Sequence, residues 1–580
     1  MVCTPFRRLT VGALLLVLLA MAGACAGPSG ERADLVLRNG KVVTVDDAVP
    51  EGEAVAVKDG RILAVGSEEE IEGYVGRGTE VIDLRGRLAV PGFIDSHAHF
   101  LGIGESTRQL DLTTVESWGE IVEMVAAAVD EAGPGALIRG RGWHQEKWQR
   151  PPRPSIEGLP LHHALSDVSP ENPVVLTHAS GHATFANRRA MQMAGITHTT
   201  PDPPGGEIVR DGERNPTGVF RETASGLLAP AYEGASSPDP RQLARLADRE
   251  VLSRGITSLH DAGVDFRTVD LYREMVDAGE LGVRLYVMLS APNEALEERI
   301  DDYRLVGHGD HHLTVRSVKR LIDGALGAHG AWLLEPYEDL EGHVGLNTTP
   351  VELIEETARI AAEHDLQLAI HAIGERANRE VLDLYERTFE AYPGKTDWRW
   401  RDEHAQHLHP DDVSRFGELG VVAAMQGIHC TSDAPYVLQR LGEERAAEGA
   451  YVWRDLMEAG VVISNGTDAP VERVDPIPSF HASVTRRLPD GTAFFPEQRM
   501  NRIEALRSYT INGAYAAFEE DLKGSLTPGK LADITVLSKD ILTVPEEEIP
   551  TTEIVYTIVG GEVKYARDEV PEGKRTAARR

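Results

Sequence analysis

Pro91-Gly92-Phe93-Ile94-Asp95-Ser96-His97-Ala98-His99 is the stretch on which the fold turns. After a Pro-Gly break comes a short, mostly apolar run that closes on two histidines. Side chains two apart on an extended segment point to the same side. His97 and His99 can therefore grip one cation together, at the end of a strand. The competing reading is two structural imidazoles, each buried with its own set of hydrogen-bond partners.

Downstream, the same kind of strand end recurs. Short apolar runs alternate with longer helical patterns, and the runs end near His97, His260, Leu289, Leu321, His371, His404, Met425 and Asn465. Such alternation is the signature of a parallel sheet, and these ends match the strand number of a closed barrel. The expected class is α/β: a (β/α)8 TIM-like barrel over residues 91–520. The first two strand ends lie too far apart for one βα unit, so residues from about 101 to 245 should form a large insertion after the first strand.

Outside the barrel, both chain ends read as short strands. At the N-terminal end these are 35–37, 41–45, 54–57 and 62–65, with Asn39-Gly40 and Asp59-Gly60 as hairpin signals. At the C-terminal end they are 533–537, 554–558 and 562–565, with Gly560-Gly561 as a turn. The expectation is one small β-sandwich built from residues 33–90 and 521–568; two separate β extensions are the alternative.

Size and charge bound the function. A chain of 580 residues exceeds one ordinary core, and 42% hydrophobic with 26% charged residues is an ordinary globular composition. A net charge of −33 argues against nucleic acid, whose phosphates call for basic patches. Residues 1–26 read as an export signal: Arg7-Arg8, an apolar run, then Ala22-Gly23-Ala24-Cys25. Cys25 resembles the lipidated cysteine of a bacterial lipobox, and plain signal cleavage is the alternative. The expected location is the cell envelope, with a lipid anchor at Cys25 as the only membrane contact. Only Cys430 remains in the body of the chain, which excludes a disulfide framework and a cysteine metal site. A homo-oligomer is compatible with the sequence.

More donors fall at strand ends. His371, His404 and Asp468 each close an apolar run, at the end where barrel active sites sit. Lys319 lies within a strand expected to be buried, where a lysine is costly unless paired or chemically changed. Either Lys319 pairs with an acid such as Asp323, or its amine captures carbon dioxide and becomes an anionic, two-oxygen ligand.

From residue 33 to 568 the chain resembles the metal-dependent amidohydrolase superfamily, in particular the amidohydrolase-3-like branch that includes N-substituted formamide deformylases. The motifs are 91–99, Gly255-Ile256-Thr257-Ser258-Leu259-His260-Asp261-Ala262-Gly263, 319–324, 371–377, Glu403-His404-Ala405-Gln406, Gly466-Thr467-Asp468-Ala469-Pro470-Val471 and 524–533. The resemblance implies that His97, His99 and Asp468 bind one metal and His371 and His404 a second, with N-carboxylated Lys319 between them. It implies two divalent ions, zinc first, and a small-molecule substrate whose non-peptide C–N bond is cleaved, with Asp468 moving the proton. The same ligands also suit an ester or lactone hydrolase, or a mononuclear deaminase. An inactive exported binding protein is the reading from another class. Candidate substrate contacts are Trp143 and His182 in the insertion, and His329, where Ala325 to Gly330 departs from the family's pattern.

Overall fold

Eight strands carry the molecule: β1 (Phe93–Ala98), β2 (Ile256–Val264), β3 (Arg284–Leu289), β4 (Leu313–Leu321), β5 (Gln367–Ala372), β6 (Arg401–His404), β7 (Val422–Met425) and β8 (Ile463–Asn465). They come from a computed structural model that describes residues 30–233 and 239–567. The export signal at 1–26, with Cys25, lies outside the described residues. Each strand pairs in parallel with the next, in the order β8-β7-β6-β5-β4-β3-β2-β1.

The last step of closure uses loop backbone. Beyond β8, Asp468 N–H donates to His97 O (2.7 Å), and His99 N–H donates to Ala469 O (2.7 Å). Gly466 permits this approach: a Cβ there would lie 2.5 Å from His97 N. The eight-stranded barrel anticipated from the strand ends is thus present.

Helices cover the strands from outside. In Val351–Glu363, buried Ile354, Ala358 and Ala361 recur at helical spacing. In Phe266–Asp277, Val269, Tyr272 and Met275 do the same. These faces and the outer faces of the strands form the main apolar core. Burying each large apolar side chain contributes roughly 1.5–3 kcal/mol.

Between β1 and β2 lies the insertion, a six-stranded mixed sheet. Its strands, in spatial order, are Gly206–Arg210, Pro216–Glu222, Ala183–Ala186, Val174–His178, Ile138–Trp143 and Leu110–Asp111. The helix Trp118–Ala132, capped by Ser117, packs on it.

The chain ends form two sheets packed face to face. One holds Arg61–Gly66, Ala54–Lys58, Leu35–Arg38 and Glu80–Asp83. The other mixes both ends, because Leu88–Pro91 pairs antiparallel with Ile534–Leu537. Leu35, Leu37, Val55, Ile534, Val536 and Ile558 share the core between them.

Asp59-Gly60 and Gly560-Gly561 each join paired antiparallel strands, as expected. Asn39-Gly40 does not form a hairpin. Leu35–Arg38 and Lys41–Val43 belong to different sheets, so this dipeptide carries the chain from one sheet to the other. A two-residue type I′ turn needs positive φ at both central residues. Asn39 has it (φ 58°), whereas Gly40 is not among the positive-φ glycines. Gly40 instead packs against Leu84 and Arg87, where a Cβ would come within 2.5 Å of Leu84 Cβ.

Candidate metal centre and active site

His97, Asp95, Arg401 and Glu403 obey the alternation of extended strands, and they meet at the end of the barrel. His97 Nδ1 bonds to Glu403 Oε2. Arg401 grips the same carboxylate, Nη2 to Oε2 at 2.9 Å. Burial pushes Glu403 up, but Arg401 and then His97 hold it well below the usual carboxylate range. His97 thus donates Nδ1–H to an anion and keeps Nε2 as a lone-pair donor, the arrangement typical of metal-binding histidines. Asp95 fixes the neighbourhood by accepting from His97 N, Thr467 N and Thr467 Oγ1. Burial raises Asp95 to about 6.

His404 follows Glu403 directly, and neighbours on a strand face opposite ways. Both reach the centre because the backbone leaves the extended region at His404 (φ 84°). Its Nδ1 donates to Gln426 Oε1 (2.7 Å), again leaving Nε2. Asp468 is also left-handed (φ 54°), held there by the bond of its N–H to His97 O. Such strain persists only where surroundings over-determine it.

The donors converge. Asp468 Oδ1 lies 3.2 Å from His99 Nε2 and 3.7 Å from His97 Nε2. The ring of His404 is 4.6 Å from that of His97 and 4.5 Å from that of His371. Ligand atoms of His97, His99 and Asp468 all lie within 4.8 Å of one another, as do those of His404, His429 and Asp468. Burial, then neighbouring charge, keeps His97 (about 4), His371 and His404 neutral, the form that binds a cation. Although burial opposes it, contact with His99 and the charge of His97 hold Asp468 well below the carboxylate range.

Lys319 is buried beside them, Nζ 3.4 Å from His97 Nε2. Burial lowers its ammonium to about 8. Asp323, the acid considered as its partner, is committed elsewhere. It accepts from the N–H groups of Ile373, Gly374 and Trp332 at 2.9–3.0 Å and approaches His371 Nε2 (3.6 Å). Among the described residues Lys319 forms no ion pair with a carboxylate. Neutral imidazoles with free nitrogens, an ionised carboxylate and an unpaired buried lysine fit divalent cations at this centre.

Around it lies a cavity of about 590 Å³, lined by His97, His99, Lys319, His182 and Asp468 among others. His182 stands in its wall, with Nδ1 bonded to Glu222 Oε2 (2.7 Å) and its ring 4.8 Å from that of His371. Trp143 is not an aromatic wall. It is fully buried in the core of the insertion, and its Nε1–H donates to Leu176 O (3.0 Å). His329 does not line this cavity either. It is buried, bonded through Nε2 to Asp339 (3.2 Å), and packed against Tyr337.

Two residues at the centre escaped sequence reading. Glu403 was visible only as a neighbour of His404. His429, in the first turn of the helix Gly427–Leu441 after β7, enters the second donor group with Nδ1 accepting from Gln406 Nε2 (3.0 Å). Its place just past a barrel strand was the available signal. His371 joins neither close donor triplet, although its ring lies beside His404.

A barrel with this donor set at its strand ends defines a metal-dependent hydrolase. The chain belongs to the amidohydrolase family, whose model matches residues 80–565. It is 34% identical to the Arabidopsis thaliana protein LONG AFTER FAR-RED 3 over 93% of this chain and 92% of that one. It is 29% identical to the N-substituted formamide deformylase of Arthrobacter pascens over 92% of this chain and 98% of that enzyme. A solved metal-dependent hydrolase from Pyrococcus furiosus superposes with a TM-score of 0.67 at 28% identity, covering 88% of this chain and all of its own (100%).

Proposed function

We propose that this protein hydrolyses a carbon–nitrogen bond in a small, non-peptide amide, using two divalent cations, zinc first. The observation that carries this reading is the convergence of His97, His99, His371, His404 and Asp468 around a buried lysine that, among the described residues, forms no ion pair. The relative that deformylates N-substituted formamides supports the choice of bond.

His97, His99 and Asp468 would hold one cation and His371 and His404 the other. Lys319 would bridge them as a carbamate: its amine nitrogen bonds to the carbon of CO2, and a proton leaves. Cations so held supply an activated water and polarise a carbonyl. The remaining work falls to side chains. Asp468, ionised and set between His97 and His99, accepts a proton and returns it to the departing nitrogen. His182, fixed by Glu222 through Nδ1, has Nε2 left for a substrate oxygen. Glu403 and Gln426 hold the rings of His97 and His404 in place.

Metal analysis of the purified chain should give about two ions per molecule. One ion with an unmodified Lys319 overturns the bridged centre. Asp468→Asn should lower amide turnover by at least about 100-fold while some metal stays bound. Near-normal activity in that variant overturns the proton-transfer role. A hydrolysis screen of N-formyl, N-acyl, cyclic amide and ester compounds tests the bond itself, and cleavage of esters alone overturns the C–N reading.

A further inference from the structure

Gly142 breaks the strand Ile138–Trp143. Its φ is 107°, and the pairing with Val174–His178 shifts register between Arg141 and Trp143. A Cβ at this position would lie 2.5 Å from Thr113 Cγ2, so the bulge requires glycine. The bulge separates two residues that would otherwise share a face. Trp143 enters the core of the insertion, and Arg141 reaches the wall of the cavity.

The partners of Arg141 are backbone carbonyls only: Nε donates to Pro470 O (2.9 Å) and Nη2 to Ala179 O (3.4 Å). Among the described residues Nη1 has no hydrogen-bond partner and the guanidinium forms no ion pair; Asp468 and Glu105 act on it only through space. Arg486 and Arg320, away from the cavity, likewise bond only to neutral groups, but other arginines around the insertion and the cavity mouth are neutralised. Arg139, on the same wall, pairs with Glu105 (2.5 Å), Arg221 with Glu157 and Glu207 (2.7 Å each), and Arg440 with Glu146 (2.8 Å). In a chain with 92 acidic against 59 basic residues, a cavity-wall guanidinium in no ion pair runs against composition. Arginine keeps its charge in any protein environment, so this head group favours an anion beside it.

Its surroundings leave room for one. Gly181 lies alongside, where a Cβ would stand 3.4 Å from Nη2. Arg141 lines both the 590 Å³ cavity and a neighbouring groove of about 320 Å³ that runs past Gln109, Asp111 and Arg473. Through Pro470 it also braces the loop that carries Asp468. We infer that Arg141 is a binding site for the carboxylate of an anionic amide substrate, whose scissile bond lies at the histidine centre. The substrate part of this inference rests on the hydrolase reading above; the anion site does not.

Paired compounds that differ only in a free carboxylate or its carboxamide isolate this site. On the metal-loaded full chain, kcat/KM should favour the carboxylate member by about 10–100-fold, the range of a charge-assisted hydrogen bond, mostly through KM. Arg141→Met should erase that preference and Arg141→Lys should keep part of it. Because Arg141 also braces Pro470, the readout is the ratio between the paired substrates rather than either rate. Calorimetry with a hydrolysis-inert sulfonamide pair, with and without the carboxylate, measures the same preference as binding. If no amide is hydrolysed yet the inert pair shows an Arg141-dependent preference, C–N hydrolysis falls and the anion site stands. No preference in the wild type overturns the site. So does a preference that survives Arg141→Met, which would assign the anion to the cations instead.

Discussion

Glu403 does its work through a ring it holds. His97 presents Nε2 to the centre only while Nδ1 is engaged, and Glu403, clamped by Arg401, is what engages it. Glu403→Gln keeps the shape and removes the anion. It should weaken metal affinity by about 10–100-fold, read by competition with a chelator; unchanged affinity would mean that packing alone sets the ring. The convergence of His97, His99, His371, His404 and Asp468 was legible because residue type and strand end coincide in the sequence, which His429, one turn into a helix, does not share. Glu403 was not, because an acid beside a histidine is commonplace, and the turn that lets both face the centre is a backbone event at His404. The same blindness explains Trp143. Two-residue alternation places it with Arg141, and only the bulge at Gly142 shows that the pocket residue is the arginine. His329 was singled out as a departure from a family pattern, which says nothing of direction; its ring turns to Asp339 instead.

At the scale of elements, the centre depends on a seam. β8 does not ladder with β1; the loop after β8 bonds to it through Asp468 N and Ala469 O, and Gly466 makes the approach possible. Since that loop carries Asp468, closure and donor placement are one event. Gly466→Ala would drive a Cβ to 2.5 Å from His97 N and 2.9 Å from His97 O. It should cost about 1–3 kcal/mol, the usual range for overpacking, and lower metal affinity at the same time. Thermal unfolding and metal titration check both, and a stability loss with unchanged affinity would separate seam from site. The eight strand ends were legible since each run is apolar and bounded. The seam was not, because its bonds join residues 370 and 371 positions apart. The crossing at Asn39-Gly40 was misread for a related reason: local turn chemistry was right about Asn39, but tertiary packing on Leu84 chose the partner sheet.

Across the whole molecule, the barrel and the terminal sandwich are joined by a buried ion pair. Arg284, at the start of β3, holds Asp533 through two bonds, Nε to Oδ2 (2.8 Å) and Nη2 to Oδ1 (3.1 Å), and its Nη1 donates to Asp310 O (2.7 Å). Asp533 also accepts from Gly560 N–H (2.8 Å) at the sandwich turn. Both side chains are almost fully buried. Burial pushes Asp533 up, yet Arg284 outweighs it, and the carboxyl stays below its ordinary value. A depressed carboxylate contributes stability above its unfolded pKa, near 3.9. That contribution is lost as pH falls from there through the lower, folded value, so the pair strengthens the junction at neutral pH and weakens it in acid. Asp533→Asn leaves Arg284 buried without its anion and should cost about 3–5 kcal/mol at neutral pH. Arg284→Met with Asp533→Leu removes both charges and should recover much of that loss. Urea unfolding of the three proteins, at neutral pH and near pH 3, tests the argument. The single variant should fall furthest below wild type at neutral pH, and the gap should narrow in acid, where the wild-type carboxylate begins to take up its proton. A pH-independent gap would mean that Asp533 acts by shape rather than by charge, and that the sandwich is held to the barrel by its apolar face alone.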